Sequence, residues 1–193
     1  MKQPAWRPRV RAASIHLGAS AVVAALAAAL TFGLWYPWPY SMLAGGLGLF
    51  VLVCSVDVIM GPLITLVIFD TRKPWAELRR DLVVVVLLQL GALGYGLHVM
   101  FQARPVVLAF EGQRFRVVSA VDVLMDELSK APPSLQALSI TGPVVVGTEA
   151  PTDADAQLKA IDMALGGFDL GMRPQFWRPW DAAARKNALA AAK

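Results

Sequence analysis

Asp57 lies within residues 41–69, a run that carries no other charge, and Gly61-Pro62 follows it four residues later. A carboxylate near the middle of a membrane-crossing helix costs about 2.5–3.5 kcal/mol on insertion scales, so it is seldom kept without a partner or a task. Pro62 adds a second irregularity: with no N–H to offer the Val58 carbonyl, it leaves an acceptor open one residue from the acid. Two kinds of chemistry are open to such a group. It can join a hydrogen-bonded network with Gln89 or Ser20 that fixes helix register, or it can face a partner helix or an ion. His16 and His98 raise the further idea of axial haem ligation. Counted at ~1.5 Å per residue, His98 falls about 24 Å along its run, while His16 lies near the opposite end of its own. They cannot share one iron, and no cofactor is expected. Cys54 lies in the same run as Asp57, where it reads as a small packing residue.

The elements that position these residues follow from composition. Hydrophobic residues make up 56% of the 193-residue chain and charged ones 17%, and the apolar residues concentrate in three runs, 12–34, 41–69 and 82–101. As helices these reach roughly 35, 44 and 30 Å, against a hydrocarbon core of about 30 Å. The expected fold class is therefore a membrane protein: a three-helix transmembrane bundle in residues 12–103, followed by a small α+β domain in residues 104–193. The second run, being the longest, must tilt, kink or protrude. The first is longer than a signal-peptide core and continues directly into an aromatic turn, so it reads as an uncleaved span.

Basic residues set the expected orientation. Lys2, Arg7, Arg9 and Arg11 precede the first run, within a basic segment 1–11. Arg72, Lys73, Arg79 and Arg80 lie between the second and third runs, and residues 35–40 carry no charge. The N-terminus and second loop then read as cytoplasmic and the C-terminal domain as exported, which in a Gram-negative cell places it in the periplasm. Trp35-Tyr36-Pro37-Trp38-Pro39-Tyr40 reads as an interfacial aromatic anchor on the outer side.

On a helical wheel each run shows a stripe of small or polar residues. The stripes are His16, Ser20, Ala24, Ala27 and Thr31; Cys54, Asp57, Gly61 and Thr65; and Gln89, Ala92 and Gly96. Interfaces between membrane helices favour such residues, so the stripes are expected to converge. Depth counting places His16 level with Thr65, both about 6 Å from the cytoplasmic end. It brings Ser20 and Gln89, about 10–12 Å deep, within range of Asp57, at about 18 Å in a tilting helix. The candidate intramembrane polar site is thus Asp57, Gly61, Pro62, Gln89, Ser20 and His16.

Residues 104–193 hold ten basic and ten acidic side chains, so the net charge of +4 belongs to the other end of the chain and no nucleic acid is expected as a partner. The stretches 105–110 and 113–119, joined across Glu111-Gly112, predict a hairpin. A short helix is expected over 119–128, ended by Pro132-Pro133, and a third strand over 144–146. A helix opened by a Thr152-x-x-Asp155 capping box is expected to run to about Leu165, with a frayed helix over 181–193. No nucleophile–base set, phosphate loop or metal-ligand spacing occurs here, so no enzyme is expected. The segment 173–180 stands out for its alternating prolines. Its residues Arg173, Phe176, Trp177, Arg178 and Trp180 form a candidate interface strap, or else a strap packed over the sheet.

Several short motifs occur in order: Ile15-His16-Leu17 with Ser20, Trp35-Tyr36-Pro37, Val56-Asp57-Val58 with Gly61-Pro62-Leu63 and Thr65-Leu66-Val67, Gln89-Leu90 with Ala92-Leu93 and Tyr95-Gly96, and Ala103-Arg104-Pro105-Val106. In these the chain resembles the TfpX/TfpZ family of type IV pilin accessory proteins, over nearly its whole length and more weakly after about Gly147. The resemblance implies a non-enzymatic inner-membrane protein whose periplasmic part assists or modulates type IV pilus assembly, with a pilin or the assembly machinery as partner beside membrane lipid. It implies no catalytic residue. The alternatives are a membrane-tethered periplasmic sensor or ligand-binding module, and an ion- or proton-coupled unit using Asp57.

Overall fold

The computed structural model describes residues 6–191; Lys2, in the basic N-terminal segment, and the last two residues of the C-terminal tail lie outside the described residues. The chain divides into two compact units, one of residues up to 33 together with 46–101, the other of residues 34–45 together with 102–193.

The first unit is helical. Helix α1 (Trp6–Leu30) continues as a π turn over Thr31–Trp35. A short helix that belongs to the other unit, α2 (Tyr40–Leu43), ends at Gly45, whose φ of 68° suits a residue without Cβ, so the second long helix begins at Gly46 and not at 41. That helix has three parts: α3 (Gly46–Ser55), a π turn (Val56–Met60) and α4 (Gly61–Ile68). Helix α5 (Trp75–Gln102) starts seven residues before its apolar run, because its first turns are built from charged residues that pair locally. Lys73 bridges to Asp81 at 2.8 Å and to Glu77 at 3.5 Å. Asp70 binds Arg72 and Arg9, and these guanidinium partners hold its carboxyl well below the usual carboxylate range.

Small residues set the helix contacts. Ala27, Thr31, Cys54, Asp57, Gly61, Thr65 and Gly96 are all buried. A Cβ at Gly96 would strike the Val53 side chain, which fixes how closely α5 approaches α3. One expected member of the third stripe is corrected: Ala92 is exposed, and the inward face of α5 runs through Leu78, Val85, Leu93 and Gly96, with Gln89 half-buried between them. His98 is also exposed. The three helical segments Trp6–Trp35, Gly46–Ile68 and Trp75–Gln102 are each long and apolar enough to cross a membrane.

The second unit is a mixed four-stranded sheet in the order β2-β1-β3-β4. Strands β1 (Pro105–Phe110) and β2 (Phe115–Ser119) form the antiparallel hairpin, β3 (Val144–Thr148) runs parallel to β1, and β4 (Trp177–Pro179) pairs antiparallel with β3. The β1–β2 turn occupies 111–114, with Gly112 at φ 81°, so β2 starts at Phe115 and not at 113. The core joins Val106, Val107, Ala109, Val118, Val146 and Trp177.

Three expectations for this unit are corrected. Residues 119–128 form no α-helix. Two 3₁₀ turns, Ala120–Asp122 and Met125–Lys130, flank an extended Val123-Leu124 whose Leu124 N–H donates to Met172 O at 2.9 Å, a long-range bond that replaces an intrahelical one. Helix α6 (Ala154–Leu165) is capped by Asp153, whose Oδ2 accepts from Ala156 N at 3.0 Å, and not by the Thr152–Asp155 box. The aromatic turn is no simple membrane anchor, because Tyr36 is completely buried in the unit that holds the sheet, and only Trp38 stays largely exposed. Pro37 sits against Gly142, where a Cβ would come within 2.6 Å of it. Helix α7 (Ala182–Ala191) completes the unit.

Burial pushes the Tyr36 hydroxyl up to about 12 from an ordinary value of 10.0, and the nearby Arg104 charge only partly opposes it. A hydroxyl raised in this way favours the docked loop below pH 10 and loses that contribution as pH rises toward 12. Of the three tyrosines, one is therefore expected to ionise late, near 12, in a spectrophotometric titration of the full chain. Tyr36→Phe should remove that late phase, and a Tyr36→Phe titration with the late phase intact would disprove the assignment.

Candidate functional site

The π turn at Val56–Met60 explains the geometry around Asp57. In an i→i+5 register the partner of the Asp57 carbonyl would be residue 62, which is proline and has no N–H. The open acceptor is thus shifted by one residue from the Val58 carbonyl expected of a regular helix. Gln89, on α5, fills the gap by donating from Nε2 to Asp57 O at 3.0 Å. It can reach because residue 61 is glycine: a Cβ there would collide with the Gln89 amide. Gly61 and Pro62 are both buried at this crossing.

The same arrangement leaves one carboxyl oxygen spare. Asp57 is 8% exposed, and its Oδ1 is buried without a hydrogen-bond partner among the described residues. Gln89 thus serves the main chain of Asp57 and also interacts with its carboxyl group, so the expected pairing of the two side chains is joined by a bond to the backbone. The acid lines a cavity of about 150 Å³ between the helices, together with His16, Ser20, Ala24, Cys54 and Gln89. Val23, Val86 and Leu90, themselves exposed, also border it. One turn closer to the Arg9–Asp70 end, His16 Nδ1 and Thr65 Oγ1 are 2.5 Å apart, joining α1 to α4 at the level where depth counting puts both. A pocket of this size takes a side chain or a few waters, and its free acceptor selects a hydrogen-bond donor or a cation.

The structure holds most of the strap inside its own domain. Trp177 is buried, with Nε1 donating to Gly171 O at 2.8 Å, and a Cβ at Gly171 would lie 2.7 Å from that of Ala109. Arg173, 5% exposed, forks onto Glu127 at 2.9 Å, with its guanidinium 4.7 Å from the centre of the Phe176 ring. Gln175 Nε2 also donates to Glu127. Trp180 lies edge-on to Phe110 and Phe115, and Arg178 pairs with Glu149 at 2.7 Å on the surface. Sequence reasoning missed β4 because its three residues, Trp-Arg-Pro, include a proline, which a sheet tolerates only at its edge, and β4 is an edge strand. It also missed Glu111, whose buried carboxylate holds Arg114, Arg116 and the Gly171 N–H together; Arg116 also binds Asp169.

Three long apolar helices, outwardly covered by side chains such as Ile15, Leu26, Leu52, Val67 and Leu88, and a small mixed-sheet unit define a membrane-associated protein of two units. The chain belongs to the fimbrial assembly protein family. It is 34% identical to "Fimbrial assembly protein, serogroup I" of Dichelobacter nodosus over 177 residues, covering 92% of this chain and 69% of that one. It is 33% identical to the serogroup E1 protein of the same organism over equal shares, and 40% identical over 117 residues to that of serogroups C1 and C2, covering 61% of this chain and 89% of the relative. The family profile described as "Fimbrial assembly protein FimB" matches residues 4–45, the first helix and the aromatic loop. No solved structure matches the chain.

Two pairs of substitutions test the geometry. Gly61→Ala should displace Gln89 and strand the Asp57 carbonyl, lowering stability by about 1–3 kcal/mol, whereas Gly91→Ala, with open space around it, should be neutral or slightly stabilising in thermal unfolding of the detergent-solubilised chain. In the sheet unit, Glu127→Ala leaves a buried guanidinium unpaired and is expected to cost about 3–5 kcal/mol. Glu149→Ala, on the surface, should cost no more than about 1 kcal/mol. Equal effects within either pair would refute the corresponding packing argument.

Proposed function

We propose that this chain is a non-enzymatic inner-membrane accessory protein of the TfpX/TfpZ kind that handles type IV pilins during fimbrial assembly. The three helices cross the membrane with the N-terminus cytoplasmic, and the sheet unit lies in the periplasm with the aromatic loop docked in it. Supporting this are the similarity to fimbrial assembly proteins over 177 residues and the asymmetry of basic residues, with Arg7, Arg9, Arg11, Arg72, Arg79 and Arg80 at the ends remote from the sheet unit in sequence.

The single observation that carries the mechanism is the spare carboxyl oxygen of Asp57. Gln89 is engaged with the main chain and with the carboxyl group, and Oδ1 is still left without a hydrogen-bond partner among the described residues. A pilin waits in the membrane on one apolar N-terminal helix. A cavity of side-chain size between the accessory helices, with an acceptor at its base, suits one donor side chain or amine of such a helix lying alongside. The bundle then holds the client laterally while the periplasmic unit meets its head.

A photoreactive residue at position 57, or at Leu90 on the cavity border, should capture pilin, whereas one at Leu87, which does not line the cavity, should capture it far less. Asp57→Ala should lower piliation at unchanged protein abundance. Capture of self or lipid alone, together with wild-type piliation in Asp57→Ala, would overturn the reading.

A further inference from the structure

A second, larger hollow of about 870 Å³ adjoins the Asp57 cavity on the side of Arg7 and Arg11. Its walls are mainly apolar, with Ala12, Ile15 and Ala19 from α1, Phe69 after α4, and Leu82 and Val86 from α5, beside the polar His16, Thr65 and Thr71. Its mouth carries two guanidinium side chains, Arg7 and Arg11, and among the described residues lining it there is no Asp or Glu. Nearby, Arg9 and Arg72 pair with Asp70, and Lys73 pairs with Asp81. Arg11 is exposed and makes no ion pair among the described residues. Trp6 and Trp75, at the same end of the unit and 60% and 69% exposed, are residues of the kind that settle at headgroup level.

A volume of this order is within the range of small-molecule sites, about 300–1,000 Å³. A free inorganic anion would use the two guanidiniums but leave the apolar walls in contact with water. An anionic phospholipid satisfies both: its phosphate pairs with Arg7 and Arg11, and an acyl chain runs down Ile15, Leu82 and Val86. Basic pockets between membrane helices are known receptors for acidic headgroups.

We infer that the groove framed by Arg7, Arg11, Ile15, Phe69 and Leu82 is a binding site for an anionic phospholipid. The inference rests on the membrane-spanning reading above. His16, Ala19 and Val86 line both this groove and the Asp57 cavity, so a lipid seated here borders the proposed client site and occupies its cytoplasmic approach.

The test uses the full chain in detergent, titrated with phosphatidylglycerol or phosphatidylcholine and read by native mass spectrometry. One phosphatidylglycerol per chain should be retained, with no matching retention of phosphatidylcholine. Arg7→Gln/Arg11→Gln should weaken retention roughly thirtyfold, at about one kcal/mol for each lost charge. Arg79→Gln/Arg80→Gln, the same loss of charge outside the groove, should leave it unchanged. Ala12→Phe, which fills the groove and keeps both arginines, should also abolish the adduct, and millimolar inorganic phosphate should not displace it. Equal retention by Arg7→Gln/Arg11→Gln and wild type, equal binding of the two lipids, or displacement by phosphate would each overturn the site. Extraction of the wild-type chain from membranes by alkaline carbonate would instead overturn the membrane-spanning reading, so the two failures are distinguishable.

Discussion

One main-chain oxygen organises the helical unit. Pro62 cannot donate to the carbonyl that precedes it in the π register, and an apolar surrounding offers no water to take over. The Asp57 carbonyl must therefore be met by another helix, and Gln89 is the side chain that meets it. This contact requires residue 61 to lack a side chain. It also sets the distance between α4 and α5. One carboxyl oxygen of Asp57, Oδ1, is left without a hydrogen-bond partner among the described residues, and the acid lines the cavity beside it.

Within the sheet unit the same rule acts on charges. Arg173, Glu127 and Glu111 are buried, and each is multiply bonded: Arg173 to both oxygens of Glu127, Glu127 also to Gln175, and Glu111 to two arginines and a peptide N–H. A buried charge with a single poor partner destabilises a fold, whereas a saturated one is tolerated and makes the arrangement specific to its partners. The segment 173–180 illustrates this. Its aromatic and guanidinium groups are of the kinds enriched at interfaces, yet Trp177 fills the core and Arg173 closes an internal ion pair, leaving Arg178 as the exposed cation. The aromatic loop makes the same point, since a sequence rich in interfacial residues, 35–40, puts Tyr36 completely out of solvent.

Long apolar runs, basic flanks, the β1–β2 hairpin and the end of α6 at Leu165 were legible in the sequence, because each depends on local periodicity or on backbone preferences that neighbouring residues share. So was the approach of His16 to Thr65, since a helix converts residue number into depth almost linearly. The short 3₁₀ turns over 120–130, the three-residue edge strand β4 and the burial of Tyr36 were not. Each depends on a partner far away in the chain: Met172 for Leu124, β3 for β4, and the unit containing Arg104 for Tyr36.

Asp57 marks the boundary between the two kinds of knowledge. The sequence by itself determined that a charge and a proline share one apolar helix and that polar groups on the other helices lie within its depth. Only the tertiary structure decided that Gln89 would serve the Asp57 main chain as well as its side chain. A one-residue shift into the π register moved the open carbonyl from Val58 to Asp57 itself, and so rare a register, invisible in helical periodicity, is held by the bond from the facing helix.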